Sequence, residues 1–218
     1  MKSTLFGAAL LVAACGGDDG GGGGPGAPDA PVTVAGDSAK QVYDAAWSLA
    51  TGLATDAILT HIKGTLVEGQ TGEVDREMQG SYWQLDFESA AQNQLINVLY
   101  SRGELTVTTV EPRPMQPPIT TEWKDSTETV EKMKTNGYTP PAAGPPEYQV
   151  AMDLAVFKTE NTMDPRFGVE EPFWRLEVIH DPPGGTAQTE AEFFVTFRAE
   201  TGMWMICDLG QRMCNDVP

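Results

Sequence analysis

The sequence has few basic residues, and this shortage limits what the protein can bind. Its 218 residues include 14 Lys and Arg against 31 Asp and Glu, which gives a formal net charge of −17 at pH 7. No basic stripe is present, and a surface this acidic repels the phosphate backbone of nucleic acids and anionic lipid headgroups. We therefore predict no nucleic-acid partner and no electrostatic attachment of the folded part to a membrane.

The chain also has few histidines and lacks the common catalytic motifs. Its two histidines are His61 and His180, and it contains neither a Gly-x-Ser-x-Gly elbow nor a His-Glu-x-x-His zinc helix. No histidine accompanies the two C-terminal cysteines, so a metal site there would be short of ligands. We predict a protein that is not an enzyme and that holds no cofactor and no metal.

Long apolar runs are scarce as well. The apolar segment from Leu5 to Ala14 has only ten residues, whereas a transmembrane helix needs about 20. Lys2 precedes it and small residues end it, which is the pattern of a cleavable secretory signal. Residues 1–14 are therefore predicted to be a signal peptide rather than a membrane span.

Cys15 directly follows Leu11-Val-Ala-Ala14, and this stretch resembles the lipobox of bacterial lipoproteins: an aliphatic residue, two small residues and a cysteine. The resemblance implies that Cys15 becomes the first mature residue and carries a diacylglycerol, with a further acyl chain such as palmitate on its amine. Two or three acyl chains anchor a protein stably. Gly16 at the next position implies the outer membrane. The alternative is a soluble secreted protein whose leader contains Cys15.

Residues 15–36 are predicted to be a tether. This segment is dominated by Gly and Pro and cannot bury apolar surface. A Gly-rich coil of about 22 residues has an r.m.s. span on the order of 25 Å. The fold would then stand clear of the membrane.

The remaining cysteines, Cys207 and Cys214, form an even pair, which predicts a disulfide in an oxidising compartment. Redox-active pairs have two intervening residues, whereas this pair has six. A closed loop of about eight residues stabilises the fold by about 2.5 kcal/mol. We expect the disulfide to tie the tail to the last strand.

Residues 37–112 predict one helix followed by strands. Asp37 or Ser38 is a good N-cap, and an apolar helical face follows at Val42, Ala46, Leu49, Ala50 and Leu53. The spacing of Ile58, Ile62 and Leu66 fits one face of either a strand or a helix. Alternation predicts strands at 81–88, 95–100 and 104–110.

Residues 113–124 form a predicted Pro-rich connector, and the order then starts again in residues 125–218. Prolines at 112, 114, 117 and 118 prevent sheet pairing. Asp125-Ser126 precede a short polar helix at 127–134. Strands are predicted at 148–158, 172–179, 192–197 and 203–206.

The two halves share a tryptophan-centred strand. Trp83, Leu85 and Asp86 in the first match Trp174, Leu176 and Glu177 in the second. We therefore predict an α+β fold with two repeats of one helix plus about three antiparallel strands. The repeats could form one continuous sheet or two domains.

Residues 198–202, Arg-Ala-Glu-Thr-Gly before Met203-Trp204, are similar to a turn in PepSY-like domains, and the first copy has Ser101-Arg-Gly103 instead. The tandem order of elements also resembles the β-lactamase-inhibitor-protein architecture. These resemblances imply binding of a protein or peptide, with inhibition or regulation of a secreted peptidase.

Two carboxylates and one histidine are the candidates for chemistry. Asp86 and Glu177 occupy equivalent strand positions and could form a glycosidase pair. Strand alternation instead predicts that both face water, opposite buried Trp83 and Trp174. We therefore expect a non-catalytic cell-envelope lipoprotein that binds a protein or peptide. The alternatives are an envelope hydrolase that uses acidic residues or His180, and a purely structural lipoprotein.

Overall fold

The computed structural model describes residues 33–67, 71–111, 116–120, 122–138, 148–156, 171–180 and 184–218. The predicted signal peptide, Cys15, most of the predicted tether and part of the connector lie outside these ranges. In the described part of the chain, neither helix has the length and apolar character needed to cross a bilayer.

Two helices and nine strands make up the described fold. The helices are α1 (Ala39–Leu53) and α2 (Ser126–Thr135). The strands are β1 (Ile58–Val67), β2 (Tyr82–Ser89), β3 (Gln94–Ser101), β4 (Glu104–Val110), β5 (Tyr148–Ala155), β6 (Phe173–His180), β7 (Gln188–Arg198), β8 (Met203–Asp208) and β9 (Met213–Val217). All nine pair in one sheet of order β4-β3-β2-β1-β5-β6-β7-β8-β9.

The predicted α+β class, with about three strands to each helix, is wrong. Among the described residues, four strands follow α1 and five follow α2, so the fold is a β-rich sheet with two short helices. The ambiguous spacing in 58–67 belongs to a strand, because β1 is paired on both sides. The tail segment at 213–217 has no alternating apolar pattern, and it becomes a strand only by pairing with β8.

A β-bulge in β1 changes which side chains share a face. The register shifts between Leu59, which is opposite Phe87, and His61, which is opposite Asp86. In a regular strand, residues two positions apart share a face. The extra residue breaks this alternation, so Leu59 and His61 point to opposite faces of the sheet. The spacing of Ile58 and Ile62 had predicted that they share one face. This is wrong, because Ile58 is 40% exposed whereas Ile62 is buried.

Helix α1 begins with a capping box. The Ser38 hydroxyl accepts from the Gln41 backbone N–H at 3.4 Å, and the Gln41 side chain accepts from the Ser38 N–H at 3.2 Å. Most of the predicted apolar face packs on the sheet, with Val42, Ala46 and Ala50 fully buried. Leu53 is 46% exposed, because the helix ends there.

The N-termini of the two helices meet at Asp125. One carboxylate oxygen of Asp125 accepts from the Ser126 N–H at 2.7 Å and from the Lys40 N–H at 2.9 Å. The other accepts from the Ser38 hydroxyl at 2.6 Å. A single carboxylate therefore satisfies unpaired donors at the start of both helices and complements both helix dipoles.

The core contains the two tryptophans that define the matching strands. Trp83 and Trp174 are 0% and 2% exposed, and their ring centroids lie 6.0 Å apart. The indole N–H groups donate to the backbone oxygens of Asp37 at 2.9 Å and of Lys124 at 2.8 Å. The prediction that both tryptophans are buried is confirmed. Each ring also ties its strand to the residue just before a helix cap.

The described part of the connector is held against the sheet. The Ile119 N–H donates to the Leu59 oxygen at 2.9 Å. The Gln116 N–H donates to both carboxylate oxygens of Glu88, each at 3.2 Å. Glu88 is only 4% exposed, so these bonds give its buried oxygens hydrogen-bond partners.

Candidate functional site

One face of the sheet points away from α1 and α2 and is called here the helix-free face. It carries most of the charged side chains of the central strands. Strand alternation places Leu85 and Phe87 toward the helices, and Asp86, which lies between them in β2, on the other face. The bulge in β1 turns His61 onto the same face, and β5 contributes Asp153.

His61 lies between two carboxylates from its two neighbouring strands. Its Nε2 is 3.2 Å from Asp153 Oδ1, and its Nδ1 is 3.6 Å from Asp86 Oδ2. Asp86 also accepts hydrogen bonds from the amides of Asn97 at 2.6 Å and Gln84 at 3.1 Å. The imidazole is 27% exposed and the Asp86 side chain 2% exposed. The cluster therefore combines a buried anion with a partly accessible cation.

The environment of His61 favours its charged form. Burial alone would lower its pKa, but hydrogen bonds to Asp153 and Asp86, together with their negative charges, raise the pKa to about 9. For Asp86, burial alone would raise the pKa. Hydrogen bonds from His61, Gln84 and Asn97 instead hold this pKa below its usual value. At neutral pH, His61 is therefore an imidazolium between two carboxylates.

This arrangement is unsuited to general-base catalysis. Both ring nitrogens of His61 face carboxylates, and a protonated imidazole has no free lone pair to accept a proton. A nucleophile would also have to lie within hydrogen-bonding distance of a ring nitrogen, and those positions are taken by Asp86 and Asp153. The geometry suits charge presentation instead.

The two carboxylates of the glycosidase alternative are not brought together. Asp86 is on β2 and Glu177 on β6, and β1 and β5 lie between them. Three interstrand steps of about 4.8 Å and an offset of four residues along the strands place them about 20 Å apart, beyond the roughly 9.5 Å upper limit of glycosidase carboxylate pairs. The prediction that both face water is wrong for Asp86, which is 1% exposed because side chains from β1 and β3 cover it.

A second ionic group lies beside the first on the same face. Arg175 on β6 is opposite Asp153 on β5, and it forms ion pairs with Glu177 and with Glu192 on β7. Its guanidinium also lies over the Phe194 ring at 5.7 Å. Burial raises the pKa of Glu177, an effect that Arg175 opposes and the charges of Glu192 and Asp153 reinforce.

Together these residues form one continuous band, called here the ionic band: His61, Asp86, Asp153, Arg175, Glu177 and Glu192. It crosses five adjacent strands, β2, β1, β5, β6 and β7. Four carboxylates outnumber its two cations, so the band has a negative charge when His61 is protonated. The ionic band could not be predicted from the sequence, because its ion pair between His61 and Asp153 joins residues 92 positions apart.

The other predicted site residues lie elsewhere. Cys207 and Cys214 are directly opposite on β8 and β9, with their sulfurs within bonding distance. His180 ends β6, opposite Tyr148 and Gln188. Within the described ranges, no group of three or more His, Cys, Asp and Glu side chains is arranged to hold a metal ion.

Comparison with known proteins adds no further assignment. No protein-family model matches the chain, and neither a curated protein nor a solved structure matches it. The functional interpretation of the chain therefore depends on the geometry of the helix-free face and on the sequence motifs.

Proposed function

We propose that this protein is a non-catalytic lipoprotein of the bacterial cell envelope that binds a basic protein or peptide through the helix-free face of its sheet. Lipid on Cys15 holds the protein to the membrane, and Gly16 at the next position favours the outer membrane. The Gly-rich tether extends the fold away from the membrane surface.

The ionic band is the observation that carries this proposal. His61, Asp153, Arg175, Glu177 and Glu192 each have side chains between 25% and 33% exposed. They are held by mutual ion pairs, so little side-chain entropy is lost when a partner binds. An accessible and already ordered surface with excess negative charge is complementary to a positively charged protein surface.

The overall charge supports the same class of partner. A net charge of −17 speeds encounter with basic molecules and disfavours acidic ones. The similarity of residues 198–202 to a PepSY-like turn suggests a secreted peptidase as the partner. In that case the protein would inhibit or regulate the peptidase.

Site-specific photo-crosslinking in intact envelopes tests the binding face. A photoreactive residue replaces Lys63 on the helix-free face or, as the matched control, Ser48 on the exposed side of α1. We expect an adduct with one defined protein at position 63, weakened by added salt, and none at position 48. Equal labelling at both positions, or none at position 63, would overturn the proposed binding face.

Mass spectrometry of the envelope fraction tests the anchor separately. The expected N-terminal peptide begins at Cys15 and carries acyl chains. The variant Cys15→Ala should be released from the membrane fraction, whereas Cys214→Ala should stay in it. A mature chain without lipid would contradict the anchor and leave the crosslinking result unaffected.

A further inference from the structure

Trp47 on α1 differs from the other tryptophans, because much of its side chain lies at the surface. It is 47% exposed, whereas Trp83, Trp123 and Trp174 are each 9% exposed or less. Trp204 is partly buried against the main core. A tryptophan combines a large apolar surface with one N–H group, and such side chains are enriched at the boundary between membrane lipid and water. Trp47 is therefore available for a contact outside the fold.

The side of α1 that carries Trp47 has little charge. Helical spacing places Lys40, Asp44, Trp47 and Ser48 on one exposed stripe, called here the Trp47 stripe. Lys40 and Asp44 are the only charged residues of α1, and their charges cancel. The whole chain, in contrast, has a net charge of −17. The helix itself therefore adds nothing to the repulsion between an acidic protein and a lipid surface.

The hydroxyl groups beside Trp47 already have partners within the helix. The Ser48 hydroxyl donates to the Asp44 backbone oxygen at 3.1 Å, and the Thr51 hydroxyl donates to the Trp47 backbone oxygen at 2.8 Å. Removal of water from this side of α1 would leave neither donor unpaired. Little loss of polar hydration therefore opposes burial of the Trp47 ring at a lipid surface.

The chain reaches α1 directly from the predicted lipid site. Residues 16–32 connect Cys15 to the first described residue, Thr33. Val34 packs against the main core, and Ser38 caps α1. The chain is therefore fixed to the fold on its helix side, immediately before the helix that carries Trp47.

The distances allow α1 to touch the membrane that holds Cys15. A Gly-rich coil of about 17 residues has an r.m.s. span on the order of 20–25 Å. Trp47 follows the cap at Ser38 by about nine residues, which is about 13 Å along the helix. A coil of this length lets the fold stand clear of the membrane and also lets α1 return to it. Because the tether keeps lipid at a high local concentration, a small apolar contact is enough to be populated.

We propose that the Trp47 stripe docks reversibly on the lipid surface to which Cys15 is attached. Docking turns the helix-free face, on the opposite side of the sheet, away from the membrane and toward its protein partner. The proposal rests on the proposed lipid on Cys15, and it adds the orientation in which the binding face is presented. The contact is apolar and favours zwitterionic lipid, because the net charge of −17 opposes approach to anionic lipid.

Quenching of tryptophan fluorescence by brominated lipid tests the contact. The acylated protein, purified from envelopes, is reconstituted in phosphatidylcholine vesicles with and without bromine on the acyl chains. One of its five tryptophans touches lipid in the proposed arrangement, so bromine should remove up to about a fifth of the emission. Replacing about half of the lipid by phosphatidylglycerol at low salt should reduce this loss at least about twofold.

Two variants locate the contact. Trp47→Phe should reduce the bromine-dependent loss at least about threefold, because it removes the exposed indole and keeps an aromatic ring. Trp204→Phe is the matched control, since Trp204 is also incompletely buried but lies on β8. It should leave the loss unchanged. Circular dichroism checks that both variants are folded.

Three results would each overturn the proposed contact: no loss in the unchanged protein, an equal loss in Trp47→Phe, or a greater loss on anionic vesicles. A defined protein adduct at position 48 in the crosslinking experiment would also overturn it. Mass spectrometry of the same sample shows whether Cys15 is acylated. An unacylated chain would overturn the anchor and the contact together, whereas an acylated chain without quenching would overturn the contact alone.

Discussion

Strands β2 and β6 each place a tryptophan in the core, but their neighbours on the central strands differ. Trp83 is opposite Gly64 on β1, whereas Trp174 is opposite Leu154 on β5. A side-chain carbon at Gly64 would overlap the six-membered ring of Trp83. The first ring therefore fills the space above a glycine, and the second packs beside a large aliphatic side chain. Similar strands can thus perform the same packing role with different partners.

The halves also differ in what they carry beyond the core. The first half contributes His61 and Asp86 to the helix-free face, and its last strand, β4, ends the described sheet on one side. The second half contributes Arg175 to that face, and its paired cysteines join β8 to β9 at the other side of the described sheet. The Trp strands therefore occupy equivalent places in the shared sheet, and the charged side chains around them differ between the halves.

Replacing the tryptophans should have the largest effect. Trp83→Ala and Trp174→Ala should each lower the free energy of unfolding by about 3–5 kcal/mol, with Trp83→Ala the more costly. The difference arises because Gly64 has no side chain to relax into the cavity, whereas Leu154 does. Urea unfolding followed by circular dichroism measures both. A larger loss for Trp174→Ala would show that the neighbouring residue does not control the cavity.

Removing the cysteine pair tests a stabilising feature of the second half alone. Cys214→Ser in the Cys15→Ser chain should lower the free energy of unfolding by about 2.5 kcal/mol under oxidising conditions. Adding reductant to the Cys15→Ser parent chain should have the same effect, because reduction opens the same disulfide-closed loop. Thiol titration under denaturing conditions checks the starting state. Two free thiols in the oxidised parent would contradict the disulfide.

The pH dependence of stability tests the His61 cluster in the first half. Because the folded-state pKa of His61 is about 9 and its ordinary value 6.5, its stabilisation is complete below about pH 6.5 and is lost as pH rises through about 9. Partial exposure reduces this effect to about 2 kcal/mol. Urea unfolding at about pH 6 and about pH 9.5 measures the loss.

His61→Gln should remove that pH-dependent loss, because the amide cannot be protonated in this range. His180→Gln is the matched control for replacing a histidine, because His180 lies at the end of β6 and outside the ionic band. If the His61 variant retained the full pH dependence, protonation of His61 in the ionic band would not be the cause of the measured loss of stability.

Some local elements could be predicted from the sequence. The caps at Ser38 and Asp125 and the apolar spacing of 42–50 indicate the two helices, since capping and helical periodicity depend on neighbouring residues. The alternation around Trp83 indicates β2 for the same reason. The fold class was wrong because the number of strands depends on pairing, and β9 has no pattern of its own.

The candidate site could not be predicted from local patterns. A bulge of one residue in β1 decides that His61 shares a face with Asp86, and the β1–β5 register decides that Asp153 joins them. Asp86 was expected in water, yet the amides of Gln84 and Asn97 surround it. Neither the bulge nor the register leaves a signal in the composition of any single strand.

The sequence by itself determined the acidic charge, the cysteine spacing, the helix caps and the tryptophan strands, because each depends on residue type or on neighbours within about one helical turn. The tertiary structure alone decided that one sheet joins both halves, that Asp125 caps two helices, and that His61 lies between Asp86 and Asp153. These features depend on contacts between residues far apart in the chain, and such contacts are specified only when hydrophobic burial and backbone pairing are satisfied together.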